Sequence, residues 1–182
     1  MKNTLRFSPC ALCATLIFLP LARSQEAAKP PTVPSYVLSL AGYAPLRGEG
    51  VVVTLSDRQL KAQPQPAGNG IPGLVHDFDL LAVVNELRAA RATGISVGGV
   101  RLTNQTAIRC VGPTILVGGR KIAIPVRVEA TGNAALLQKA LTLPNGIAAG
   151  MKATGPRVEV RTAANLRLPA APLPPNGALA AR

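Results

Sequence analysis

Across positions 74–119 the spacing of apolar residues changes from a helical to an extended period, and the rest of the chain is organised around that change. In LVHDFDLLAVVNELRAARA, Leu80, Val83, Val84 and Leu87 recur at i, i+3, i+4 and i+7, which sets them on one stripe of an amphipathic helix. Asp77 stands just before that stripe as the expected N-cap, its carboxylate accepting from free amides of the first turn, and Asp79 adds negative charge at the positive end of the helix. Arg88 and Arg91 suit the negative end, and Gly94 stops the pattern. GISV then reads as a short apolar strand. From Val100 onward the pattern predicts a meander, with strands over 106–110 and 114–117 separated by Gly112-Pro113. A hairpin turn at Gly118-Gly119 leads into a return strand over 122–130.

The flanking sequence supplies the other elements. VVVTL, between Gly50 and Asp57, is the first core strand. Along 122–130, Val126, Val128 and Ala130 share one face while Arg127 and Glu129 share the other, so one side of the sheet is polar. Pro125 cannot donate to a ladder, which predicts an edge position or a bulge. A second helix is expected over 133–141, with Leu136, Leu137, Ala140 and Leu141 apolar, and a last strand over 157–161, where Val158 and Val160 alternate with charge.

Outside a domain at 48–162, the pattern gives way to biased sequence. Residues 25–47 carry Pro30, Pro31, Pro34 and Pro45 and predict an extended spacer, with YVLSL at 36–40 as a short strand or packing segment. Residues 163–182 form a Pro/Ala-rich tail. Residues 1–24 read as a signal peptide: Lys2 and Arg6, an apolar run, then Ala22-Arg23-Ser24, which suits cleavage before Gln25. A retained N-terminal anchor is the alternative, although the run is short for a span.

Composition narrows the chemistry. The chain of 182 residues has no Trp, two Tyr and three Phe, so its core is aliphatic and no aromatic platform for stacking bases is expected. Net charge is +12; without Lys2, Arg6 and Arg23 the mature chain keeps 17 basic and 8 acidic residues, or +9. That balance favours anionic surfaces through attraction that salt weakens. Of three cysteines, Cys10 and Cys13 lie in the leader, which leaves Cys110 and excludes a disulfide framework or Cys-rich zinc site. Cys110 is expected to be a buried, inert thiol.

Two catalytic patterns fail on context. Gly68-Asn69-Gly70-Ile71-Pro72-Gly73 fits G-x-G-x-x-G, but no strand feeds it and Pro72 intrudes, which speaks against dinucleotide binding. Gly94-Ile95-Ser96-Val97-Gly98 fits G-x-S-x-G, but a nucleophile elbow lies between a strand and a following helix, with a later His. Here a helix precedes the motif, strands follow it, and the single histidine, His76, comes earlier. Asp57, Asp77 and Asp79 remain as carboxylates for acid-base work.

The phrases GEGVVVTLSD, LVHDFDLLAVVNELRAA, ISVGGVRL, TAIRCVGPTILVGG and PVRVEATGN, in this order, resemble the bacterial family called domain of unknown function 881, some of whose members carry the label division-initiation protein. The resemblance implies an α+β, ferredoxin-like domain with a mostly antiparallel sheet and two helices packed on one face, outside the cytoplasmic membrane and without established enzymatic activity. Members often have a membrane anchor and a coiled coil before the domain. The Pro-rich spacer here cannot form a coiled coil. The turn after the first helix is Ala90-Arg91-Ala92-Thr93-Gly94 where the family is more acidic, and Gly98-Gly99 replaces an Asn-Gly turn.

These readings predict a non-enzymatic cell-envelope domain, a binding or assembly module of the membrane or wall, in a division context that the family label suggests. It is expected to be exported, or anchored in the plasma membrane if the leader is retained. No cofactor or metal is expected. Envelope proteins or an anionic surface are the expected partners, without sequence-specific nucleic-acid recognition, and the oligomeric state is open. Candidate contacts are Arg101, Arg109, Arg120, Lys121 and Arg127 around the predicted sheet. Two alternatives stand beside this: a weak anionic-polymer or nucleic-acid binder, and a carboxylate-dependent envelope hydrolase.

Overall fold

A computed structural model describes residues 33–58 and 73–173. The chain runs through α1 (Ser35–Ala41), β1 (Leu46–Ser56), α2 (Asp77–Ala89), β2 (Gly94–Val97) and β3 (Val100–Arg101). Next come β4 (Ile108–Val111), β5 (Thr114–Val117), β6 (Arg120–Ile122), β7 (Val126–Thr131), α3 (Ala134–Thr142), α4 (Ile147–Thr154) and β8 (Arg157–Leu168). This is an α+β architecture with two antiparallel sheets, a five-stranded one in the order β3-β2-β7-β1-β8 and a three-stranded one in the order β4-β5-β6.

β1 and β2 both run antiparallel to β7, and β7 and β8 both run antiparallel to β1. Each helical connection, α2 and α3-α4, therefore joins two parallel strands across one intervening strand. The alternation of β1 and β7 explains the layering. Val51, Val53 and Leu55 of β1, with Val126, Val128 and Ala130 of β7, are fully buried on one face. The α2 stripe of Leu80, Val83, Val84 and Leu87 closes over that face, joined by Leu137 and Leu141 of α3 and Met151 of α4. Arg127 and Glu129 occupy the opposite, polar face, as the alternation predicts.

The β4-β6 sheet is inserted between β3 and β7. Its β5-β6 hairpin, like the β2-β3 hairpin, turns through two glycines that both have positive φ, Gly118-Gly119 and Gly98-Gly99. Two-residue turns of this hand require that conformation, which L side chains resist.

Several elements differ from the sequence pattern for identifiable reasons. The spacer expected over 25–47 contains a helix, α1: every proline of that segment falls outside Ser35–Ala41, Pro34 takes the N-cap position, and Gly42 at φ 92° closes the helix. YVLSL is helical, where a short strand or packing segment was the expectation. The single return strand over 122–130 is two strands in two sheets. Pro125 lies in the link between β6 and β7, so it occupies neither an edge strand nor a bulge, and β7 is flanked on both sides by β1 and β2. The two expected helices are joined by α1 and by α4, which is only 8 residues long, contains Gly150 and shows no long apolar stripe.

The domain limits move outward too. β1 starts at Leu46, ahead of 48, and β8 continues to Leu168, past 162, because their outer halves pair with each other. A bulge interrupts that pairing: Gly50 opposes Ala163 but Gly48 opposes Leu166, so β8 carries an extra residue there. Inserting one residue turns every later side chain to the other face. Leu166 and Leu168 are consequently buried beside Leu46 on the polar side of the sheet, apart from the main core. The leader expected over 1–24, the G-x-G-x-x-G segment apart from Gly73, and residues beyond 173 lie outside the described residues.

Candidate functional site

The five candidate cations separate into three groups. Arg101, expected at the surface, is only 2% exposed. Its partner in the β2-β3 ladder is Ser96, which faces away from the main core, and this side of the sheet is covered by α1 and the segment after β8. Nη2 donates to the Ser39 carbonyl at 2.7 Å, and Nη1 to the carbonyls of Ala44 and Pro169 at 3.3 Å each. Nε is buried without a partner. Removal from water pushes the guanidinium pKa down from its ordinary value. Arg101 is a structural tie and belongs to no surface patch.

Arg127 is exposed on the polar face of the main sheet and donates to Glu129 Oε1 at 2.7 Å, so its charge is locally compensated. Arg109, Arg120 and Lys121 form the third group, on the small sheet. Arg109 pairs with Leu116, and Leu116 with Lys121, so these three side chains share the outer face of the small sheet. Arg109 and Lys121 are two strands apart, about 10 Å. Arg120 pairs with Val117 and has the opposite parity, but it sits exposed beside the Gly118-Gly119 turn. Among the described residues none of the three forms an ion pair. The sequence held a signal for this that the period of hydrophobicity does not convey: positions 87–128 contain no acidic residue and seven basic ones.

Exposed apolar side chains at one end of the same sheet also escaped the sequence pattern. Val111 ends β4 and is 51% exposed, and Phe78, at the start of α2, is also 51% exposed. Ile124, just beyond β6, is 38% exposed. In sequence each looks like one more apolar residue of a strand or helix.

Asp57, Asp77 and Asp79 each accept a hydrogen bond from a backbone amide. Asp77 Oδ2 accepts from the Cys110 amide at 2.7 Å and Oδ1 from the Phe78 amide at 2.9 Å, while the Asp77 amide donates to Cys110 Sγ at 3.3 Å. The Cys110 amide, above all, holds the Asp77 pKa below its ordinary value. The N-cap position falls on His76, one residue before the expected Asp77, because the Asp77 carboxylate turns to β4. Asp79 instead accepts from the His76 amide at 2.8 Å, as the returning half of a capping box. Asp79 is buried, and desolvation raises its pKa. Asp57 Oδ1 accepts from the Val75 amide at 2.9 Å. His76 Nδ1 lies 3.0 Å from the Leu74 carbonyl, and its ring stacks on Phe78 with centroids 5.1 Å apart.

Ser96 of the G-x-S-x-G pattern is fully buried in mid-strand, with Oγ 3.4 Å from Glu129. Cys110 is half-buried, and desolvation pushes its thiol pKa up. Among the described residues no three His, Cys, Asp or Glu side chains gather closely enough to hold a metal ion. An open cavity of about 690 Å³ lies between the ends of α1 and α2 and strand β2. Its polar lining is Tyr43, Arg88, Thr93, Thr103, Asn104 and Gln105, which can hydrogen-bond a ligand but includes no carboxylate, imidazole or thiol for proton transfer.

Comparison with known proteins finds relatives of this sequence and fold. A crystal structure titled as an uncharacterized conserved protein from Mycobacterium tuberculosis superposes with a TM-score of 0.65 at 26% identity, covering 81% of this chain and 97% of that one. UPF0749 protein YlxW of Bacillus subtilis (strain 168) is 36% identical over 107 residues, 58% of this chain and 45% of that protein. UPF0749 protein Rv1823 of Mycobacterium tuberculosis (strain ATCC 25618 / H37Rv) is 36% identical over 101 residues, 53% of this chain and 33% of its own length. The aligned part thus spans less than half of these curated relatives. The family described as "Bacterial protein of unknown function (DUF881)" matches residues 36–178, from α1 to beyond β8, and the chain belongs to that family.

Proposed function

We propose that this domain is a non-enzymatic binding or assembly module of the cell envelope and that it meets an anionic surface through the β4-β6 sheet. The observation that carries this reading is the segregation of charge. Arg109, Arg120 and Lys121 stand exposed on one small sheet, inside a stretch, 87–128, that holds no acidic residue. A field of one sign draws phosphate-rich surfaces such as lipid headgroups or wall polymers, and it does so less as salt rises. The pattern of residues 1–24 supports export. A division context is part of the same proposal and rests on the label that some family members carry. Among the described residues no helix is long and apolar enough to cross a membrane.

The order of the main sheet supports placing the domain in the ferredoxin-like class. With the edge strand β3 and the β4-β6 insertion set aside, β1-α2-β2 and β7-α3-β8 interleave as two strand-helix-strand units, giving β2-β7-β1-β8. A carboxylate-dependent hydrolase is the weaker reading, because Asp57, Asp77 and Asp79 are each engaged by a backbone amide.

The test is binding of the full chain to envelope fractions and to anionic vesicles at low and high salt, with and without the triple change Arg109→Glu, Arg120→Glu, Lys121→Glu. Salt-sensitive binding that the triple variant loses is the expected result. Equal binding of both proteins to every fraction would overturn the reading.

A further inference from the structure

We infer that the turn end of the β4-β6 sheet docks on an anionic phospholipid bilayer, with Val111, Phe78 and Ile124 entering the headgroup region and Arg109 and Lys121 held at the phosphates. This rests on the proposed anionic-surface reading and narrows it to a lipid surface.

The geometry starts from the row of Cys110. The ladder sets Cys110, Ile115 and Ile122 side by side across the three strands. One step further along, the chain leaves the sheet at Val111 on β4 and at Ala123 beyond β6. Asp77 joins α2 to the same row through its hydrogen bonds with Cys110, which places Phe78 next to the end of β4. Phe78, Val111 and Ile124 thus expose large apolar side chains at one end of one sheet, with Gly112, Pro113, Ala123 and Pro125, all exposed, around them. Turns built on proline and glycine here carry apolar residues outward, where solvent-facing turns ordinarily carry polar ones.

The charges stand at the right depth behind this tip. Arg109 precedes Val111 by two residues on the same face, and Lys121 precedes Ala123 by two. Two residues of strand span about 7 Å. Apolar groups of peripheral elements enter roughly 5–10 Å into the headgroup and acyl boundary, and long cationic side chains reach back to the phosphates. The nearby carboxylates are Asp77, which the Cys110 and Phe78 amides already engage, and the buried Asp79, which the His76 amide engages. A soluble polyanion could use the cations but would gain nothing from the apolar tip, whereas a bilayer uses both.

The chain contains no Trp, so Val111→Trp in the full-length protein gives emission from the tip alone, and Ile124→Trp gives a second position should the first fail to fold. The probes are vesicles of phosphatidylglycerol with phosphatidylcholine, vesicles of phosphatidylcholine alone, and dextran sulfate as a soluble polyanion. The expected result is a blue-shifted emission with the anionic vesicles only, abolished by Arg109→Glu with Lys121→Glu. In the unlabelled chain, Val111→Ser, which removes the apolar group without adding charge, should weaken binding to anionic vesicles about tenfold and leave dextran sulfate binding unchanged. Unshifted emission from both Trp variants while the vesicles retain the protein would overturn the bilayer docking but leave the anionic-surface reading standing. If the charge reversals also left vesicle and dextran sulfate binding unchanged, both would fall.

Discussion

The Arg101 guanidinium donates to the carbonyl of Ser39, 62 positions earlier, at 2.7 Å, and with the carbonyls of Ala44 and Pro169 it ties α1, the link from α1 to β1 and the segment after β8 to β3. A buried cation with carbonyl dipoles around it is stable only while those dipoles stay aimed. Arg101→Ala leaves acceptors buried and a hole beneath α1, and the expected loss is about 3 kcal/mol of unfolding free energy. Arg101→Lys keeps the charge but cannot reach three separate carbonyls with one fork, so it should lose about 2 kcal/mol. Urea titration checks both. A loss below about 1 kcal/mol for the alanine variant would mean that α1 is held by other contacts.

Asp77 and Asp79 pull the pH dependence of stability in opposite directions. The Asp77 pKa is lowered in the folded state, so its contribution is present above the ordinary value of 3.8 and fades as pH falls through the folded value. The Asp79 pKa is raised by desolvation, so its ionisation opposes folding as pH rises from 3.8 through the folded value. Asp79→Asn should therefore leave a chain whose stability falls more steeply with acid than that of the wild type. Asp77→Asn should leave one whose acid loss is shallower or reversed. Urea midpoints from pH 2 to 7 decide the matter, because the Asp77 window lies below 3.8 and the Asp79 window above it. Identical profiles for the two variants would contradict the assignment.

How much of this was legible in sequence depended on whether a period or a tertiary contact decided each element. The α2 stripe and the β7 alternation repeat within a few residues, so Leu80 to Leu87 and Val126 to Ala130 gave their buried faces directly. Arg101 looked the same in sequence as Arg109. Only the placement of α1 over the polar side of the sheet separates a buried tie from an exposed cation. Asp77 looked like a cap because it precedes the stripe, and its real partner, the Cys110 amide, lies 33 positions away. The bulge that turns Leu166 and Leu168 to the other face depends on pairing with β1, which no local pattern in 157–168 announces.

Arg91 closes α2 in an unfavourable conformation. The Ala92 amide donates to the Leu87 carbonyl at 2.9 Å and the Arg91 amide to the Arg88 carbonyl at 3.0 Å, the pair of bonds of a Schellman ending. The left-handed position of that motif, usually glycine, is Arg91 at φ 62°. Arg91→Gly relieves the strain and gives part of it back as unfolded-chain entropy, so a net gain of about 0.5 kcal/mol is expected. Arg91→Val, β-branched at the same φ, should lose at least about 1 kcal/mol. Equal stability of the two variants in thermal unfolding would remove the left-handed turn as the cause.

Gly48 and Gly50 flank the site where the β1-β8 register shifts, and the two should respond to the same substitution with opposite signs. A Cβ on Gly50 would run into the carbonyl of Ala130 on β7, a backbone atom of a strand paired on both sides, which cannot move aside without opening the ladder. Gly50→Ala should therefore cost about 3 kcal/mol, at the upper end for overpacking. A Cβ on Gly48 meets nothing within 4 Å, and its φ lies outside the positive range that restricts side chains. Gly48→Ala removes only the excess freedom of glycine in the unfolded chain, so it should stabilise by about 0.5 kcal/mol. The two variants differ by two positions and one methyl group each, and urea unfolding of the pair isolates packing against β7 from strand propensity. If both were neutral, β1 and β7 would have to lie further apart at Gly50 than the register with Thr131 places them.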